Sequence, residues 1–177
     1  MSEIESTSKG LTVLDCTALV TGAAIASAHF RPLVLSHGLA PSSPIVLGAF
    51  VLVATTSAGP AVLAVLWYER KLAFRFKIGE ILWGVLGFPW LASAFLRPSV
   101  ASARRQAGAG VDVYTLTLAI GLAASSLIAL GVVWTTWVAV APETAERAAA
   151  PPWTNRVGFF LAVTWPLQCA AGFLLLG

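Results

Sequence analysis

The sequence predicts an all-α fold, an integral membrane bundle of five transmembrane helices with proline kinks in helices 2, 3 and 5. Three observations predict it. The chain is 58% hydrophobic and 11% charged, with a mean hydropathy of +0.83, against about 45–50% apolar and about 25% charged residues in soluble domains. Its 177 residues hold roughly five spans of about 20 residues with short connections, and no room for a separate soluble domain. The charges gather at the ends of five apolar stretches, about 11–30, 44–68, 79–96, 112–141 and 157–177, and none falls in the middle of one. The whole of 1–177 therefore reads as a single transmembrane domain.

The first stretch starts at a capping-box pattern, Thr12-x-x-Asp15, in which a hydroxyl and a carboxylate satisfy the orphan donors of a helix N-terminus. It ends near His29 and Arg31, cations on the side of the helix dipole that favours them. Ala26-Ser27-Ala28 resembles a signal-peptidase site, but Glu3 and Glu5 outweigh Lys9 ahead of it and Asp15 interrupts the apolar run. An uncleaved span is the expectation.

In the second stretch, Ser43-Pro44 places a cap before proline at the first helical position. Glu80 falls in the first turn of the third stretch, where the dipole favours an anion, and Arg70, Lys71 and Arg97 lie near helix C-termini. Asp112 and Asn155 are placed to cap the fourth and fifth. The connection 97–110 is rich in Ala, Gly and Ser and reads as a loop. The connection 142–150 reads as a two-turn helix stopped by Pro151-Pro152.

Orientation follows from cation counts. The N-terminus and the second and fourth connections carry seven Lys and Arg residues, and the opposite side carries four. The positive-inside rule puts the N-terminus in the cytoplasm and the C-terminus on the other side of the membrane. In the connection 69–78, Arg70, Lys71, Arg75 and Lys77 interleave with Phe74, Phe76 and Ile78. This pattern suits a segment on the membrane surface whose cations meet anionic lipid headgroups. The net charge of +3 and pI near 9.2 come mainly from this connection, and with no extended basic face they point to lipid rather than nucleic acid.

Proline recurs near the middle of three stretches, at Gly59-Pro60, Phe88-Pro89-Trp90 and Trp165-Pro166. Each removes a backbone donor and crowds the carbonyl four residues earlier, which kinks a helix. Carbonyls freed at such depth are what transporters use to hold solutes. Thr56, Trp90, Trp165 and Gln168 cluster at that level and are the candidate solute-binding residues, Gln168 being the one amide deep in a span and expected to find a partner on another helix. Small residues four apart, Ala18, Gly22 and Ala26 on the first helix and Gly121, Ser125 and Ala129 on the fourth, are candidate helix contacts, because such spacing lets backbones approach closely. Trp67, Trp83, Trp134, Trp137 and Trp153 map near the cytoplasmic interface as an aromatic belt.

His29 is the one histidine within a span, a candidate axial ligand for haem or a chlorophyll-type pigment. His37 lies in the following connection. Cys16 and Cys169 form neither a disulfide framework nor a metal motif. Nucleophile triads, His-Glu-x-x-His, Walker loops and Cys-x-x-Cys are absent from the sequence, and no acid stands at mid-membrane to relay protons.

The functional expectation is a non-catalytic accessory or scaffolding subunit, without metal or cofactor, packed beside other integral membrane proteins and anionic lipids. The alternative is a small transporter or binder of an apolar solute or lipid, with its site at the proline kinks. A further alternative is a pigment or haem carrier through His29.

Overall fold

The computed structural model describes residues 13–37, 43–70, 76–103, 113–139 and 152–176, with side chains over 13–31, 43–70, 76–96, 113–135 and 152–173. The expectations for Thr12, Lys71, Arg75, Asp112 and 142–150, and for the side chains of His37, Arg97 and Trp137, lie outside that description.

Among the described residues all regular structure is α-helical: α1 (Val13–His37), α2 (Pro44–Ser57), α3 (Gly59–Glu69), α4 (Ile78–Ala103), α5 (Val113–Ala139), α6 (Trp153–Val163) and α7 (Trp165–Leu176). Four stretches are long and apolar enough to cross a membrane: Val13–Arg31, Pro44–Glu69, Ile78–Leu96 and Val113–Thr135. The fifth expected span corresponds to two shorter helices, α6 and α7, of 11 and 12 residues, neither of which is long enough alone. Two boundaries also move. Helix α1 continues through His37, and α4 through Ala103, so the start of the connection expected at 97–110 is helical.

The expected proline effects divide. The helix is interrupted at Ala58, directly before Gly59-Pro60, and at Thr164, directly before Trp165-Pro166. Helix α4, in contrast, runs through Pro89 without interruption. Ser93 Oγ donates to the Pro89 carbonyl at 2.7 Å, and a helix loses only one donor at a proline when its neighbours hold the axis.

The interruptions leave carbonyls that side chains then satisfy. Thr55 O accepts the indole N–H of Trp83 on α4 at 2.8 Å. Leu161 O, whose ordinary donor would be the N–H of residue 165, accepts the Gln168 side-chain amide at 2.9 Å. The deep amide on α7 therefore bonds across the break to α6, and the partner the sequence suggested on another span is replaced by one within the same stretch.

Helix α4 is the centre of the bundle and packs against α1, α2, α3, α5 and α6. Two core clusters lie along it. One gathers Phe30, Val53, Trp90, Tyr114 and Leu118, and the other Val62, Leu66, Leu82, Trp83 and Leu161. In lipid, apolar burial drives helices together weakly because the tails are as apolar as leucine, so close approach and hydrogen bonds decide the packing. Gly22 sits where a Cβ would run into Ala54 O and Ala58, and Ser57 Oγ donates to Gly22 O at 3.0 Å. Ala18 and Ala26 are buried on the same helix face. On α5, a Cβ at Gly121 would stand 2.8 Å from Pro89 Cβ, with Ser125 and Ala129 buried below it. The two small-residue stripes thus face different partners, the α2–α3 break and α4.

Candidate functional site

Two polar clusters lie buried near opposite ends of the bundle. The first is built on Glu80, which is fully buried at the start of α4. Arg70, just past the end of α3, grips it with both guanidinium arms, Nη1 to Oε2 at 2.9 Å and Nη2 to Oε1 at 2.8 Å. Oε2 also accepts the Lys77 backbone N–H at 2.8 Å, and Oε1 the Thr154 hydroxyl at 2.9 Å. Lys77 O receives the Ile81 N–H, so Lys77 stands at the N-cap of α4 and Glu80 at the third helical position. Its carboxylate makes the returning half of a capping box. The other half comes from a different helix: Asn155 Oδ1, on α6, accepts the Gly79 N–H at 2.9 Å.

Asn155 thus caps α4 and not its own helix, whose N-cap is Pro152. Similarly, Ser43 makes no side-chain bond to the α2 terminus. The capping by Asn155 demands near-contact of the two helix starts. A Cβ on Gly79 would run into Asn155 O, and one on Gly158 into Gly79 O.

The cluster redirects two expectations for the connection 69–78. Arg70 is turned inward onto Glu80, with its side chain 28% exposed. The hydrogen bonds to Glu80 hold its pKa above the ordinary arginine value, against partial desolvation. Phe76 packs against the core and beneath the Arg70 guanidinium, 5.9 Å from ring centroid to Cζ, while Lys77 is exposed as a headgroup ligand would be. Trp83 and Trp153 meet edge to face at 5.8 Å between centroids. Trp83 is buried in the core, whereas Trp67 and Trp134 are exposed.

The second cluster surrounds His29, which is fully buried. Its Nε2 lies 2.9 Å from Trp90 O and its Nδ1 2.7 Å from the Tyr114 hydroxyl. A carbonyl only accepts, so Nε2 carries the proton and Nδ1 accepts from Tyr114. The ring is flanked by Trp90 at 5.5 Å, edge to face, and by Tyr114 at 5.7 Å. A metal at the centre of a macrocycle needs a free nitrogen lone pair and a ring-sized space, and the Nδ1 lone pair is already committed. The surroundings do not fit a haem or chlorophyll-type group.

Of the four candidate solute residues, Thr56 Oγ1 turns back to Leu52 O at 2.7 Å and Gln168 serves the α6–α7 break. Trp165 is half-buried. The Trp90 indole N–H, fully buried, has no hydrogen-bond partner among the described residues. None of the four lines a groove of about 520 Å³ between α2 and the α6–α7 pair.

Sequence reasoning found Glu80 only as a dipole-compensating charge. The pairing with Arg70 carried a signal, opposite charges across a short connection, that went unread. The link to Thr154 and Asn155, more than 70 residues away, carried none.

Comparison with protein-family models, with curated proteins and with solved structures finds no match.

Proposed function

We propose that this protein is a non-catalytic accessory or scaffolding subunit that works by packing against other integral membrane proteins, a reading with which its several apolar helices of spanning length are compatible. A single observation carries the reading: among the described residues the buried Glu80 and His29 side chains bond to the protein's own helices, the Trp90 indole N–H being the buried group left over. Glu80 ties α3, α4 and α6 together, His29 ties α1, α4 and α5, and Ser57 ties α2 to α1. Hydroxyls of Thr17, Thr21, Thr55, Ser93 and Thr164 return to carbonyls of their own turns. A catalyst or a carrier of polar solutes needs such groups aimed at a ligand.

The same reading takes α6 and α7 together as a fifth, broken crossing. Helices of 11 and 12 residues rise about 16–18 Å each, enough in sequence for a hydrocarbon core of about 30 Å. The cation count then puts the N-terminus in the cytoplasm and the C-terminus opposite.

The partner's seat in this reading is the outer face of α5. Its span has the highest mean hydropathy of the four, 2.2, and is the least buried, at 28%. A Cβ on Gly131 meets nothing within 4 Å, and exposed Leu127, Ile128 and Trp134 surround it. Blue-native electrophoresis from gentle detergent tests the proposal. The chain is expected in a species larger than itself, and Gly131→Trp is expected to release it while its own thermal unfolding stays unchanged. A parent protein that migrates alone, or that supports turnover as the sole membrane component, overturns it.

A further inference from the structure

The groove between α2 and the α6–α7 pair has walls of a particular kind. On α2 it extends from Pro44 to Thr55, about 17 Å of helix at 1.5 Å per residue. Gly48 and Ala49 on that side, and Ala170 and Ala171 opposite, keep the walls apart. Its two hydroxyls stand at the inner end, where both helices are interrupted. Thr55 Oγ1 donates to Val51 O at 2.8 Å and Thr164 Oγ1 to Phe160 O at 2.9 Å. Neither has a proton left to offer a ligand.

We propose that this groove is a binding site for one acyl chain of a bilayer lipid, seated with its methyl end toward Thr55 and Thr164. Thr55 lies near the middle of the Pro44–Glu69 stretch, so the inner end is at hydrocarbon depth and Pro44 is at the level where a headgroup begins. Volume argues against a partner helix as the occupant. A helix about 10–12 Å across displaces on the order of 1,300–1,900 Å³ over the same length, more than the roughly 1060 Å³ of non-atom space in and at the mouth of the groove, so it cannot lie wholly within it. Chemistry argues against an occupant with a polar atom at its inner end. That atom would find no donor there, and an unpaired polar group at that depth is strongly unfavourable. A saturated chain makes no such demand. The site is independent of the subunit reading and holds whether or not a partner covers α5.

The test uses the full chain in lipid nanodiscs containing a phosphatidylcholine with a diazirine near the end of one acyl chain. After irradiation, labelled residues are mapped by peptide mass spectrometry. Labelling is expected to concentrate on 48–55 and 160–170, several-fold above the outer face of α5 at 120–128. Gly48→Phe, at a position whose Cβ meets nothing within 4 Å, is expected to remove most groove labelling and leave that on α5 unchanged. Ala170→Phe fills the groove from the opposite wall and should do the same. Groove labelling no stronger than that of α5, or labelling that survives both fillings, overturns the proposal. So does disulfide capture of a second protein chain through Gly48→Cys in the native membrane, because a helix would then occupy the position given to the acyl chain.

Discussion

Replacing Arg70 by glutamine leaves the Glu80 carboxylate in place, fully buried, with only the Lys77 N–H and the Thr154 hydroxyl to hold it. Removing one partner of a buried ion pair costs about 3–5 kcal/mol, because the remaining charge is uncompensated. Arg70 is 28% exposed, so some water reaches the gap and a value near the lower end, about 3 kcal/mol, is expected. Glu80→Gln should cost less, about 1.5–3 kcal/mol for the lost charge-assisted bonds, since the stranded guanidinium can turn to solvent and the new amide still accepts one hydrogen bond. Combining both substitutions leaves two neutral amides. Its cost should fall short of the sum by about 1–3 kcal/mol, the coupling of groups in one network. At about 2–4 °C per kcal/mol for a chain of this size, Arg70→Gln lowers the melting temperature by about 6–12 °C. The edge-to-face pair of buried Trp83 and half-buried Trp153 beside the cluster lets intrinsic tryptophan fluorescence follow the transition in detergent. Single-variant shifts below about 2 °C, or a double variant equal to the sum of the singles, would refute the account of Glu80 as the hub of three helices.

Gly158→Ala should destabilise by about 1–3 kcal/mol, since its Cβ runs into Gly79 O and forces α6 from α4, whereas Gly131→Ala should be neutral; the same melts compare them. His29→Phe removes both bonds by which α1 reaches α4 and α5, about 1 kcal/mol for each lost bond, and should shift the melt more than Tyr114→Phe, which removes one of them. Cysteines introduced at Ser6 and after Gly177 should react with a membrane-impermeant thiol reagent from opposite sides of the bilayer, and labelling from one side only would contradict a fifth, broken crossing.

Much of the fold is legible because it is additive along the chain. A window of apolar residues such as 113–135 meets the length and hydropathy of a span whatever it packs against, and charges collect at helix ends for reasons local to each end. Proline was legible only in part. Pro60 and Pro166 stand next to interruptions, but Pro89 does not, and there α4 packs against five other helices. Local reasoning also misassigned caps: Asn155 stands at a helix start, as the sequence suggests, but serves the neighbouring helix.

The sequence by itself determined the approximate positions of the apolar stretches, long enough to be compatible with a membrane, and the residue types small enough for helices to touch. Each depends on sums or spacings within about 20 residues. The tertiary structure alone decided how the polar groups are used. Gln168 turned to its own helix break, His29 was committed to Tyr114 and Trp90, and Glu80 gained Arg70 and Thr154. A buried polar group in an apolar medium bonds to whichever donor or acceptor the packing brings within about 3 Å, and that neighbour belongs to another helix as often as to its own.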